Sequence, residues 1–204
     1  VKKFVTAVLE KSNCIGVRGE LTGKYLETLG FAEGRDFMVI GCPSMYMKGK
    51  RLHIQNPKLD VNSKVCFNSN VAASVPTRKF IKLKMKEFEN HYFIGQVVNE
   101  LRSIYLGAPY EYKIEYNFRN VTDKIYQDGR LRFFCNVPKW MEFLNDSDLT
   151  FGSRLHGNIA AVLAGTPALL VTKDSRTREL AEYHHLNAIH ESKLNEKLTL
   201  QELV

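Results

Sequence analysis

The chain has 204 residues, of which 44% are hydrophobic and 25% are charged, a composition typical of a globular protein rather than a disordered one. The formal net charge of +7 favours anionic partners, with nucleic acid, membrane surfaces and phosphorylated metabolites fitting equally well. The four cysteines show no Cys-x-x-Cys spacing, which argues against a zinc site or a disulfide scaffold. With neither a signal peptide nor an apolar run of roughly 20 residues, we expect a soluble, cytoplasmic protein.

The first half of the chain alternates between helical and strand-like spacing of apolar residues. The pattern predicts a helix from residue 4, a strand at 14–17, a helix at 21–29, a strand at 37–40, a loop or linker at 45–63, a strand at 64–68, a basic helix at 77–91, a strand at 92–97 and a helix through residue 106. In the basic helix, we expect Arg78, Lys79, Lys82, Lys84 and Lys86 to form a solvated face.

The second half begins with a stretch, 107–129, in which alternating tyrosines fit a strand or an irregular segment equally well. From there the pattern predicts strands at 131–136, 149–152 and 168–172 and helices at 138–144, 155–164 and 177–185. Repeated strand–helix units of this size predict an α/β fold, a parallel sheet with helices on both faces.

Polar residues follow the predicted strand at 149–152. Ser153, Arg154 and His156 fall where the next helix begins, beside Gly157 and Asn158. In open parallel sheets, ligands bind beyond the carboxyl ends of the strands, where helix N-termini offer unpaired N–H groups to anions. A guanidinium adds a fork for the same anion, and an imidazole can donate a proton near neutral pH. We therefore predict an anion site with a proton donor here.

Three other junctions carry candidate ligands with open alternatives. Asp174 and Arg176 follow the strand at 168–172 and could hold a ligand, or cap a helix and form a surface salt bridge. Arg18 follows the strand at 14–17 and could bind an anion or pair with Glu20. Ser44 could bind a ligand or cap a turn. No metal-ligand spacing or nucleotide-binding glycine loop is present in the sequence.

These residues resemble a known family. The run from Trp140, Trp-x-x-Phe-Leu-x-x-x-Asp-Leu, followed by FGSRLHGNIAAVLAGTPALLVTKDSRTREL, is similar to the carboxy-terminal signature of the polysaccharide pyruvyl transferases. GVRGELTGKYLETLG and GCPS resemble that family's middle segment. In many members a Gly-Asp-Pro turn occupies the place of Gly41, Cys42 and Pro43, so a catalytic carboxylate at Cys42 is not carried over.

The resemblance implies a GT-B-like architecture of two Rossmann-like domains with the amino-terminal domain largely missing. Residues 1–50 would end that domain or link the two, and 60–204 would form the donor-binding domain. It also implies transfer of pyruvate from phosphoenolpyruvate to sugar hydroxyls, forming a ketal during exopolysaccharide synthesis. Phosphoenolpyruvate is then the donor substrate, no cofactor is needed, and the isolated chain need not be active.

On this interpretation Arg154 and His156 are catalytic. Arg18, Ser44, Ser153, Gly157, Asn158, Asp174 and Arg176 are candidate substrate contacts. The acceptor is a sugar or a lipid-linked oligosaccharide, which is compatible with the inner face of a membrane, and no nucleic acid is involved. The alternative from the same architecture is a glycosyltransferase that uses a nucleotide-sugar. A nucleic-acid-binding module is disfavoured, because the basic residues are scattered rather than interleaved with aromatics.

Overall fold

A computed structural model of the chain describes residues 1–109 and 121–204. It divides into two compact units. The smaller unit comprises Val1–Met47 and Asp174–Leu186, and the larger comprises Lys48–Lys173 and Asn187–Val204. Part of the tyrosine-rich stretch, including Tyr110, Tyr112 and Tyr116, lies outside the described residues. The organisation into 1–50 and 60–204 stays a prediction.

The elements follow in chain order, with short 3-10 turns between some of them. The first are α1 (Lys2–Leu9), β1 (Ile15–Val17), α2 (Glu20–Thr28), β2 (Phe37–Val39), β3 (Val65–Asn68), α3 (Val75–Met85), β4 (His91–Gly95) and α4 (Val98–Leu106). The remainder are α5 (Lys124–Gln127), β5 (Leu131–Phe133), α6 (Val137–Asn145), β6 (Leu149–Gly152), α7 (Leu155–Ala164), β7 (Ala168–Thr172), α8 (Ser175–Tyr183), β8 (Ala188–His190) and α9 (Leu200–Leu203).

The larger unit is built on a six-stranded sheet in which every described pairing is parallel, in the order β5-β4-β3-β6-β7-β8. Numbered within this unit, the strands follow the order 3-2-1-4-5-6 of Rossmann folds. The strand order reverses between β3 and β6, which pair with Asn68 opposite Gly152. The predicted α/β fold is confirmed, and ligands in such folds bind beyond this reversal, the topological switch point.

Alternate residues of the strands supply the main hydrophobic core. Val65 and Phe67 of β3 and Leu149 and Phe151 of β6 point to one face, where Phe80 of α3 covers them. All of these side chains are at most 4% exposed. A parallel sheet carries helices on both faces, so its strands consist mainly of consecutive apolar residues. In β3, all four residues are buried. α7 contacts β6 and β7, and eight of its residues are buried.

The prediction of a basic helix over 77–91 is wrong about where the helix ends and about which of its basic residues are solvated. α3 ends at Met85, because the backbone of Glu89 bonds to Val61 and that of Asn90 accepts from Val65 at the start of β3. Arg78 and Lys84 are buried, at 6% and 2% exposure, rather than solvated. The Lys84 ammonium lies 2.6 Å from Glu87 Oε1, which offsets its charge.

The smaller unit contains a two-stranded parallel sheet, β1 paired with β2. Its core consists of Val5, Val17, Leu26 and Phe37, one from each of α1, β1, α2 and β2. α8 also belongs to this unit, so the chain leaves the larger unit after β7 and returns to it for β8. β8 and α9 were not predicted from the sequence. None of the described helices has the length and apolar character to cross a bilayer.

The β3–β6 pairing allows no side chain at Gly152. A Cβ built there would lie 2.0 Å from the carbonyl oxygen of Asn68, a backbone atom that cannot rotate away. We expect Gly152→Ala to lower the free energy of unfolding by about 3 kcal/mol or more, measured by urea denaturation. Gly95→Ala is the matched control, because its Cβ would meet only side-chain atoms at 3.0–3.3 Å. Equal losses in the two variants would contradict the steric explanation.

Candidate functional site

The carboxyl end of β6 and the N-terminus of α7 lie at the switch point of the sheet. Arg154 is the N-cap of α7, and its backbone N–H donates to Asn68 Oδ1 at 2.8 Å. The Ser153 hydroxyl accepts from the backbone N–H of Asn70 at 2.8 Å. These bonds tie the start of α7 to the residues that follow β3. The first N–H groups of a helix have no partner within it, so α7 presents donors and a partial positive charge at this edge.

The Arg154 side chain is engaged in a buried network. Its Nε donates to the carbonyl of Ser69 at 2.7 Å, and its Nη2 lies 3.0 Å from Glu100 Oε1. Glu100 is fully buried, and the Arg154 side chain is 12% exposed. The second oxygen of Glu100 accepts from the backbone N–H groups of Gln96 and Val97 at the start of α4. The guanidinium charge is therefore offset by a carboxylate within the site.

Sequence reasoning missed Glu100. One local signal was available, because a glutamate three residues after a helix N-cap commonly accepts from the cap's backbone N–H. Its pairing with Arg154 spans 54 positions in the chain and depends on β4 lying next to β3 in the sheet. No local pattern carries that information.

Two predicted site residues, Gly157 and Asn158, shape the first turn of α7, one by lacking a side chain and the other through its side-chain amide. A Cβ at Gly157 would lie 2.5 Å from Gln96 Nε2 and 3.2 Å from Asn68 Nδ2, so the missing side chain lets two amides approach the first turn of α7. The Asn158 amide donates to the carbonyls of Gly152 and Arg154 at 3.1 and 2.9 Å, and thus holds the junction together. His156 is the exposed side chain of this turn.

The remaining candidates lie in the smaller unit. Arg18 is exposed directly after β1, and Ser44 is exposed in the turn Pro43–Tyr46. Asp174 caps α8 by accepting from the Thr177 backbone N–H and hydroxyl, both at 2.8 Å. These hydrogen bonds lower the pKa of the Asp174 carboxyl, with the charge of Arg176 contributing less. Arg176 itself is exposed.

Cys42, at the family's Gly-Asp-Pro position, donates its backbone N–H to His184 Nε2 at 2.7 Å. Gly41 has φ +66, and a Cβ there would lie 2.2 Å from that imidazole nitrogen. Burial lowers the pKa of His184, and the neighbouring His185 lowers it further. The hydrogen bond acts in the same direction, because an accepting nitrogen must be unprotonated. His184 therefore favours its neutral form in the fold.

No cluster of three or more His, Cys, Asp or Glu side chains with metal-binding geometry occurs in 1–109 and 121–204. The described site residues are instead amides, hydroxyls, a guanidinium–carboxylate pair and an imidazole. Backbone N–H groups and such side chains suit an anionic organic ligand.

Comparison with known proteins defines the class. Residues 1–175 match the profile of a transferase family described as polysaccharide pyruvyl transferase. The chain belongs to the polysaccharide pyruvyl transferase family, which confirms the resemblance seen in the sequence.

No curated protein matches the sequence significantly. A solved structure described as the glycotransferase of kitacinnamycin matches with a TM-score of 0.41 and 13% identity. The alignment covers 79% of this chain and 38% of that one, so the chain spans well under half of that protein's length.

The ion pair between Arg154 and Glu100 is expected to be strongly coupled. Arg154→Met leaves a buried carboxylate without its counter-ion and should cost about 3–5 kcal/mol of unfolding free energy. Glu100→Gln combined with Arg154→Met should recover most of that loss, because both charges are then absent. Urea denaturation of the wild type, both single variants and the double variant measures the coupling. Additive losses would show that the two side chains do not interact.

His184 should make the smaller unit sensitive to acid. Its pKa in the fold is below the ordinary value of 6.5, so the unfolded chain binds the proton first as pH falls. The stabilising contribution of neutral His184 is thus fully present above about pH 6.5 and is lost progressively below it.

The ¹⁵N–¹H signal of the Cys42 amide reports this titration directly. In the wild type we expect it to shift with an apparent pKa below 6.5, and in His184→Gln we expect no shift, because the amide oxygen accepts the bond without titrating. His185→Gln is the control and should retain the titration of Cys42. A Cys42 amide signal that does not shift with pH in the wild type would refute the hydrogen bond to a titrating His184.

Proposed function

We propose that this chain carries the phosphoenolpyruvate site of a polysaccharide pyruvyl transferase, which transfers pyruvate to sugar hydroxyls during cell-surface polysaccharide synthesis. Membership of the family supports the reaction class. The observation that carries the site is the N-terminus of α7 at the switch point, with exposed His156 in its first turn. Backbone donors and an imidazole together suit an anionic donor that must receive a proton.

The reaction needs a proton on the enol methylene carbon, attack of one sugar hydroxyl on C2, loss of phosphate, and attack of a second hydroxyl. Each hydroxyl releases its proton, and the products are a cyclic ketal and inorganic phosphate. We assign His156 to the phosphate and to proton transfer, because it is exposed beside the helix N-terminus. No metal enters this scheme.

In this proposal Arg154 contributes less to direct binding of the donor than an unpaired guanidinium would. Two of its nitrogens are held by Ser69 and Glu100, so its main contribution is to fix the start of α7 and to keep one cation close to the donor. Ser153 and Asn158 support the same backbone. Arg18, Ser44, Asp174 and Arg176 remain proposed contacts for the donor or for a lipid-linked sugar acceptor. Location in the cytoplasm at a membrane's inner face stays part of this proposal.

Binding of the donor is testable without turnover. Phosphoenolpyruvate should raise the melting temperature of the chain, by about 3–5 °C at ten times Kd, because it binds only the folded state. His156→Ala should abolish most of this shift while leaving the ligand-free melting temperature within about 1 °C, since the side chain is exposed.

His185→Ala is the control for removing an exposed histidine. A melting temperature raised by a nucleoside diphosphate and indifferent to phosphoenolpyruvate would replace this proposal with the nucleotide-sugar glycosyltransferase. Full ketal formation by His156→Ala in the whole protein would remove the assigned role of that residue.

A further inference from the structure

Arg78, in the first turns of α3, lies inside the larger unit. It is 6% exposed, whereas Lys79 and Lys82 of the same helix are exposed. A guanidinium remains charged at any ordinary pH, so its burial is unfavourable unless an anion or a full set of acceptors accompanies it.

The described residues do not supply that compensation. Arg78 Nη1 donates to the carbonyl of Ala73 at 2.5 Å, and its Nε is buried with no hydrogen-bond partner in the described part of the chain. None of the described carboxylate oxygens lies within 4.0 Å of its charged nitrogens. The carboxylate of Glu191 reaches the first turn of α3, but it accepts from the Thr77 hydroxyl at 3.0 Å.

The segment between β3 and α3, residues 69–74, brings further cations to the same place. We call it the β3–α3 loop. Its carbonyls at positions 69, 72 and 73 accept from Arg154 Nε, Lys173 Nζ and Arg78 Nη1, the first two at 2.7 and 2.9 Å. Glu100 offsets the charge of Arg154. The N-terminus of α3, capped by Ser74, adds a partial positive charge at the carboxyl end of β3.

We propose that the β3–α3 loop, with Arg78 as its principal cation, binds a phosphate group. A phosphate group bound beside the guanidinium would compensate the buried charge, and a planar guanidinium matches two phosphate oxygens at once. Arg78, which no described carboxylate neutralises, and the partial positive charge at the N-terminus of α3 together favour a dianion over a single carboxylate. The proposed phosphate site adjoins the N-terminus of α7 but depends on a different side chain, Arg78, and it stands whether or not the chain transfers pyruvate.

Inorganic phosphate is the probe, and thermal stability together with isothermal titration is the readout. We expect phosphate to raise the melting temperature of the wild type, and to leave Arg78→Met unchanged at the same concentrations. In phosphate-free buffer Arg78→Met should melt at or above the wild-type temperature, because an uncompensated buried charge has been replaced by an apolar side chain. Lys79→Met, the control for net charge on the same helix, should respond to phosphate as the wild type does.

Arg78→Lys keeps the charge but not the fork, and should bind phosphate at least about tenfold more weakly. If Arg78→Met fails to fold, the phosphate affinity of Arg78→Lys tests the proposal in its place. An equal phosphate response in wild type and in either Arg78 variant would overturn the proposal, as would an equal loss in Lys79→Met.

Two further titrations of the same proteins, with phosphoenolpyruvate and with a short prenyl diphosphate, identify which kind of molecule carries the bound phosphate group. Weakened binding of phosphoenolpyruvate alone in Arg78→Met assigns the site to the donor, and weakened binding of the diphosphate alone assigns it to a lipid-carried acceptor. Undiminished binding of both would count against the site. If phosphoenolpyruvate leaves every variant unchanged while inorganic phosphate still depends on Arg78, the proposed function fails and the phosphate site remains.

Discussion

The close approach of β3 and β6 at the centre of the sheet is the constraint on which the candidate site depends. Asn68 lies opposite Gly152, and only a residue without a side chain fits against the Asn68 carbonyl. Because the two strands end side by side there, the β3–α3 loop and the start of α7 begin at adjacent points. The Asn68 amide oxygen then accepts from the Arg154 backbone, which orients α7 from its first residue.

Most polar side chains at this edge are used to build it. Ser153 and Asn158 bond to backbone groups, and Arg154 pairs with buried Glu100. A buried ion pair contributes little net stability compared with apolar packing, but removing either partner is costly. What such a network provides here is a fixed orientation for the first turn of α7, which is what the proposed binding of an anion by its backbone donors and His156 requires.

The positions of the positive charges indicate where an anion would be stabilised, which the net charge does not. On α3, exposed lysines cover the outer face, while Arg78 turns inward to the β3–α3 loop and Lys84 is neutralised by Glu87. A net charge of +7 is compatible with many anionic partners. A single buried guanidinium without a described counter-ion specifies where one anion would be stabilised, because desolvation makes that position costly when it is empty.

Local periodicity and a contiguous signature were enough to predict the alternation of strands and helices, the strand β6, the helix α7 and the family. The sequence also indicated the junction that carries Arg154 and His156. The three-dimensional fold was needed to show that Arg154 pairs with Glu100, that α3 ends at Met85, and that Arg78 is buried. Each of these depends on which strands are neighbours and in what register, and that order arises from packing between segments distant in the chain.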